Sequence, residues 1–100
     1  MLRYAVAFLL LFSIESRSRP VPESDVAETL AYAQALYYDA RFKEAIQVLL
    51  RLDDVLRSKP DQLKEQISVK LQLAAAYTGL NDNTQAKSSF RELYSLDPDY

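Results

Sequence analysis

The chain contains no cysteine and no histidine. Without histidine a Ser-His-Asp triad cannot be built, and without either residue type the usual His/Cys ligand sets of zinc sites are missing. The lack of cysteine also excludes disulfide bonds and a thiol for lipoprotein acylation. An enzyme built on this chain could use only carboxylates, lysine or tyrosine, and the fold must be held together by packing alone.

Glycine and blocks of like charge are also scarce. A single glycine leaves no Gly-rich loop that could bind phosphate. The 12 basic and 14 acidic residues are interspersed, with a net charge of −2 and no basic stripe of the kind expected in a nucleic-acid-binding protein. We therefore expect no enzyme activity, cofactor, nucleic acid or small-molecule substrate.

Two close acidic pairs are the remaining candidates for metal binding or acid catalysis. They are Asp53-Asp54 and the pair formed by Asp97 and Asp99. Neither has a third ligand or the spacing of a calcium loop. We interpret the first pair as the solvated face of a helix and the second as part of the chain end, and expect no metal site.

The first part of the chain is its most apolar. An arginine among the first four residues precedes ten uncharged residues, 5–14. This length matches the apolar core of a secretory signal, about 7–15 residues, and is shorter than the ~20 residues of a membrane-spanning helix. We predict a signal peptide over 1–18, with Ser16 and Ser18 before the cleavage site, and a linker over 19–23. An uncleaved anchor is the alternative. The protein is thus expected to be exported, periplasmic or extracellular, with membrane contact only through a retained anchor.

Residues 24–100 place apolar side chains at helical spacing and show no β-type alternation. The pattern predicts an all-α domain whose short connections make neighbouring helices antiparallel. Ser24 is expected to cap the first helix, and Pro60 to lie in the first turn of the third. Asp82 and Gln85 have the spacing of a capping box for the fourth. The predicted helices are 24–38, 42–57, 61–80 and 83–96.

The helices form two similar pairs, in which residues of similar size recur at equal intervals. In the first pair these residues are Ala33, Leu36, Ala45 and Leu49, and in the second Ala74, Tyr77, Ala86 and Phe90. Together with Leu73 and Pro98, they resemble the L-G-x-x-Y…A-x-x-x-F…P pattern of the tetratricopeptide repeat, with alanine replacing the glycine. The resemblance implies two helix-turn-helix repeats, about 26–59 and 60–100, that form a short α-solenoid.

The chain departs from the family in two respects. Its two repeats are offset by 41 residues, where the family repeat has about 34. Thr29 and Lys70 also stand where the family has an aromatic residue near the start of the first helix. The resemblance still implies that small and large residues pack the repeats together: Ala33, Leu36, Ala45, Leu49, Leu73, Ala74, Tyr77, Ala86, Phe90 and Pro98.

In the tetratricopeptide family, the first helix of each repeat lines a concave groove that holds an extended peptide or a helix. The corresponding residues here are Leu30, Gln34, Tyr37, Tyr38, Leu71, Gln72, Ala75 and Thr78. They are apolar or neutral, so the basic clamp with which some members hold a terminal carboxylate is not expected. Tyr38 is the main candidate for contact with a partner. Tyr37 is expected to pack against the next helix.

The resulting hypothesis is a protein-interaction scaffold that binds a peptide or helix of a partner protein in an exported or envelope assembly. One alternative is a structural module that forms homo-oligomers through the outer face of the fourth helix, where Tyr94, Leu96 and Tyr100 are expected to be uncovered. Another is the N-terminal fragment of a larger tetratricopeptide-repeat protein. An enzyme is disfavoured.

Overall fold

The computed structural model describes residues 25–100 of the chain. Within this range the chain is all-helical, as predicted, and contains no strand. None of the described helices is both long and apolar enough to cross a bilayer. The predicted signal peptide, the linker and the Ser24 cap lie outside the described residues. The four helices are α1 (Val26–Tyr38), α2 (Phe42–Arg57), α3 (Leu63–Gly79) and α4 (Asn83–Leu96).

Helix α1 ends in a Schellman turn. The backbone N–H of Arg41 donates to the carbonyl of Leu36, and that of Ala40 donates to the carbonyl of Tyr37, both with an N···O distance of 2.9 Å. These bonds satisfy carbonyls that the helix end leaves free. Ala40 adopts a left-handed backbone conformation with φ of 60°, which is unfavourable for a residue with a Cβ atom.

The turn after α3 repeats this geometry. The backbone N–H of Asp82 donates to the carbonyl of Tyr77, and that of Asn81 donates to Thr78, both at 2.9 Å. Asn81 has φ of 61°. Each residue lies 41 positions after its counterpart in the first turn. The predicted cap of α4 is confirmed, since the Gln85 N–H donates to Asp82 Oδ1 at 3.2 Å.

Ala40→Gly is expected to raise the free energy of unfolding by about 0.5–1 kcal/mol. Glycine adopts this φ without the steric cost of a Cβ atom, and the greater freedom of glycine in the unfolded chain offsets only part of the gain. Asn81→Gly should gain less, because asparagine already tolerates the left-handed region. Urea denaturation of the two variants in parallel measures the difference, and a larger gain for Asn81→Gly would show that strain at Ala40 is not the cause.

The start of α3 differs from the prediction. Pro60 lies in the connection, and the helix begins at Leu63. The side-chain amide of Gln66 donates to the carbonyls of Leu56 at 2.8 Å and Lys59 at 3.1 Å, where α2 ends. Because this amide satisfies carbonyls at the end of α2, the connection has a defined shape without a helical turn at Pro60.

Neighbouring helices along the chain pack side by side, and α1 also packs against α3. Among the described helices, α4 packs against α3 alone. The arrangement is therefore an open array, unlike a closed four-helix bundle in which the first and last helices would touch. The largest fully buried side chains are Leu49, Leu52, Leu56, Val69 and Leu93.

Small side chains are buried where the helices meet. Of the ten residues expected to pack the two repeats, seven are buried: Ala33, Leu36, Ala45, Leu49, Leu73, Ala74 and Ala86. Tyr77 is half-buried. Phe90 and Pro98 differ from the expectation, since both are exposed, whereas Ser89 is buried. The reason is that α4 has a neighbour on one side only, so that the Phe90 ring is not enclosed by another described helix.

Candidate functional site

An apolar depression lies between α1, α2 and α3. It has a volume of about 190 Å³, and no charged side chain lines it. The lining residues are Ala33, Gln34, Tyr37, Tyr38, Ala45, Leu49, Leu71, Gln72 and Ala75. The structure therefore brings together six of the eight groove residues, from two helices that are distant in sequence. We call this depression the groove pocket.

The other two groove residues lie elsewhere. Leu30 is half-buried against the core and lines a separate depression with Val26 and Gln62. Thr78 is exposed, and its hydroxyl donates to the carbonyl of Ala74 at 2.8 Å. Neither side chain contributes to the lining of the groove pocket.

The floor of the groove pocket is made by residues that the sequence places in the packing between repeats. Ala33, Ala45 and Leu49 are all buried. Because the two alanines have only a methyl side chain, they leave space between the helices that a larger residue would occupy. The same small residues that allow close helix packing thus create the depression above them.

The rim of the groove pocket carries the two neighbouring tyrosines. The Tyr37 ring is half-buried and packs edge-on against Phe42 of α2, with ring centroids 5.4 Å apart. Tyr38 is 74% exposed. The Gln34 amide donates to the Tyr38 hydroxyl at 3.3 Å, so the exposed ring is held near the pocket by a hydrogen bond. Tyr37 therefore packs beside the groove pocket, whereas the exposed Tyr38 ring is accessible for contact with a partner.

A second polar feature, which we call the ion cluster, joins α2, α3 and α4. Lys70 Nζ lies 2.8 Å from Asp53 Oδ2 and 2.6 Å from Glu92 Oε2. The Lys70 and Asp53 side chains are only 11% and 6% exposed. Arg57 adds a longer contact of 3.5 Å to Asp53. The interpretation of Asp53-Asp54 as a solvated face is wrong for Asp53, which points into the contact with α3, whereas Asp54 is exposed.

Sequence reasoning missed the ion cluster because its members are far apart along the chain. Asp53 and Lys70 are separated by 17 positions, so no local motif connects them. One feature of the sequence could have indicated the ion cluster: Lys70 is a charged residue in a helix whose other side chains are apolar on several faces. Among the described residues no group of acidic side chains is arranged to hold a metal ion.

The ion cluster shifts the titration of its lysine. Burial disfavours the charged ammonium, but hydrogen bonds to Asp53 and Glu92 outweigh this effect, and the pKa of Lys70 is raised above its ordinary value. A group with a higher pKa in the folded state stabilises the fold fully below its unfolded pKa, about 10.4. This stabilisation is lost as the pH rises through the folded pKa.

We therefore expect the double variant Asp53→Leu with Lys70→Met to lose less unfolding free energy than the wild type as the pH is raised above about 10. The comparison between the two proteins cancels the titration of the tyrosines and other lysines that both retain. Urea denaturation at a series of alkaline pH values provides the measurement. Equal alkaline losses in the two proteins would show that Lys70 does not contribute in this way.

No family model, curated protein or solved structure matches the chain.

Proposed function

We propose that the chain is a protein-interaction scaffold of the tetratricopeptide-repeat type, which holds a peptide segment of a partner in the groove pocket. Two observations support the repeat architecture. The turns after α1 and α3 have the same hydrogen bonds at an offset of 41 residues. The first helices of the two hairpins, α1 and α3, also pack against each other. Because residues 1–18 have the length and composition of a secretory signal, the proposed partner belongs to an exported or envelope assembly.

The groove pocket is the observation that carries the binding proposal. Its volume of about 190 Å³ is below the roughly 300–1,000 Å³ typical of small-molecule sites. It is similar to an apolar cavity of about 150 Å³ that accommodates benzene. The pocket is therefore suited to one large apolar side chain, such as leucine or phenylalanine, presented by a longer segment.

The rim residues of the groove pocket indicate which groups of the partner lie next to its apolar anchor. Gln34 and Gln72 offer amide donors and acceptors, and the Tyr38 hydroxyl lies beside them. Amides can pair with the main chain of an extended peptide, and tyrosine supplies contact area at a low cost in side-chain entropy. Since no charged residue lines the pocket, the proposed ligand is an uncharged peptide segment with a single apolar anchor.

A library of uncharged synthetic peptides, each with one leucine or phenylalanine, tests this proposal by fluorescence anisotropy. We expect selected peptides to bind, and Ala75→Leu to weaken binding about tenfold or more, because the leucine fills the pocket that receives the anchor. The double substitution Gln34→Ala with Tyr38→Ala should have a similar effect.

Leu50→Ala is the control, because Leu50 is an exposed residue of α2 outside the groove pocket. It should leave the affinity unchanged. Binding that is equally strong in Ala75→Leu and in the wild type would remove the groove pocket from the proposal, as would a library without any binder.

A further inference from the structure

The two hairpins are related by a constant offset of 41 residues, and three residues buried at the contact between them have equivalents that are exposed on the outer faces of the described helices. Leu49 and Asp53 of α2 and Leu73 of α3 are buried at 1%, 4% and 3% exposure. Their equivalents at the same offset are Phe90, Tyr94 and Tyr32. These aromatic residues are 38%, 51% and 56% exposed.

We propose that a second copy of the chain covers these faces by head-to-tail stacking. The α1 of one copy would pack on α3 and α4 of the other, in the way that α3 packs on α1 and α2 within one chain. Tyr32 of one copy and Phe90 and Tyr94 of the other then occupy the places of the buried residues Leu73, Leu49 and Asp53. Burial of aromatic side chains supplies most of the binding energy in such interfaces.

Charges on the two faces favour this pairing. Val69 and Ile46 belong to one buried cluster at the internal contact, and their equivalents are Glu28 on α1 and Lys87 on α4. Both equivalents are exposed. The α1 face thus carries an acidic residue and the α4 face a basic one, and opposite charges on the two faces favour association. Pairing α4 with a second α4 would instead bring together two faces that each carry Lys87.

The sizes of the side chains that face each other also fit this pairing of the two copies. At the internal contact, a Cβ atom on Gly79 would lie 2.7 Å from ring carbons of Phe42, so a small residue on α3 faces a large one on α2. The equivalent positions carry Tyr38 on α1 and Asn83 at the start of α4. In the stacked pair, the large residue, Tyr38, lies on α1 of one copy, and the smaller residue, Asn83, lies on the second hairpin of the other copy. Close approach of the two copies is therefore possible with the sizes exchanged.

Stacking would also complete a second pocket. Leu30 and Thr78, the two groove residues outside the groove pocket, are the equivalents of its lining residues Leu71 and Tyr37. In a stacked pair, Thr78 of one copy and Leu30 of the next would line an equivalent depression between the copies. The expected groove is thus longer in the assembly than in one chain.

A head-to-tail interface uses different faces on the two copies, so it produces an open series of oligomers unless a ring closes. We expect the average mass of the purified protein to rise with concentration between about 1 µM and about 1 mM, measured by light scattering or sedimentation equilibrium. A mass that stays monomeric over this range would overturn the proposal.

Two variants that each block one face give the sharper test. Ala35→Arg blocks the α1 face at the equivalent of the buried Ala76, and Tyr94→Arg blocks the α4 face. Each variant alone should associate at least about tenfold more weakly than the wild type. An equimolar mixture should form a 1:1 dimer and nothing larger, because one intact face remains on each molecule.

Control measurements distinguish head-to-tail stacking from misfolding and from pairing of α4 with α4. Leu50→Arg, an exposed position of α2 outside both faces, should associate like the wild type, and far-UV circular dichroism should show the same helix content in every variant. Pairing of α4 with α4 would leave Ala35→Arg associating normally and the mixture without a specific 1:1 dimer. That result, or a mixture that remains monomeric, contradicts head-to-tail stacking.

Discussion

Lys70→Ala is expected to lower the free energy of unfolding by about 3 kcal/mol or more. Among the described residues, the substitution leaves the carboxylate of Asp53, which is 6% exposed, with only the longer 3.5 Å contact to Arg57. An uncompensated buried charge is among the most destabilising changes that a single substitution can make. Glu92 of α4 also loses its ion pair with Lys70 of α3. Urea denaturation measures the loss, and each kcal/mol should lower the Tm by about 4–8 °C in a domain of this size.

The control for this prediction removes both buried charges together. Asp53→Leu with Lys70→Met should cost much less than Lys70→Ala, because apolar residues of similar volume can replace a buried ion pair without leaving a charge unpaired. Glu92→Gln should cost about 1 kcal/mol or less, since the Glu92 side chain is 52% exposed and solvent screens its contact. If Lys70→Ala costs no more than Glu92→Gln, the ion cluster does not stabilise the contact between the helices.

Ala74→Leu is expected to cost about 2–3 kcal/mol, and Ala86→Leu a similar amount. Both alanines are buried in the second hairpin, and neither lines the groove pocket. A leucine there has to displace a neighbouring helix or adopt a strained side-chain conformation. Thermal and urea unfolding measure the loss.

The stability of Ala45→Leu is to be compared with that of Ala74→Leu and Ala86→Leu. Ala45 is equally buried but lines the groove pocket, so part of the leucine can enter a space of about 190 Å³. The variant should lose less stability than Ala74→Leu and more of its peptide binding. Ala31→Leu, at an exposed position of α1, should change the stability by no more than about 0.5 kcal/mol. An unchanged Tm in both Ala74→Leu and Ala86→Leu would show that small side chains at the contact are not required.

Local features of the fold were predictable from the sequence because they depend on residues that are close along the chain. Periodic apolar positions gave the four helices, and the prediction of an all-α chain is confirmed over the described residues. The spacing of Asp82 and Gln85 predicted a cap that the structure contains. At Pro60 the local rule failed, because the Gln66 side chain satisfies the end of α2 and the helix starts later.

The groove was predictable from the sequence only in part. The resemblance to the tetratricopeptide repeat implied eight groove residues, and the structure places six of them around one pocket. Periodicity describes the face of a helix but not which neighbour covers it. For this reason Phe90, at a position equivalent to the buried Leu49, was expected in the packing and is exposed instead.

The sequence by itself determined the four helices, the cap of α4 and the burial of Ala33, Ala45, Ala74 and Ala86, because hydrogen bonding within a turn and the 3.6-residue period are local properties. Only the tertiary structure decided that Asp53, Lys70 and Glu92 meet, that α4 packs against α3 alone among the described helices, and that two alanines form the floor of a pocket. These features depend on the distances between helices, which side-chain volumes on several segments set together.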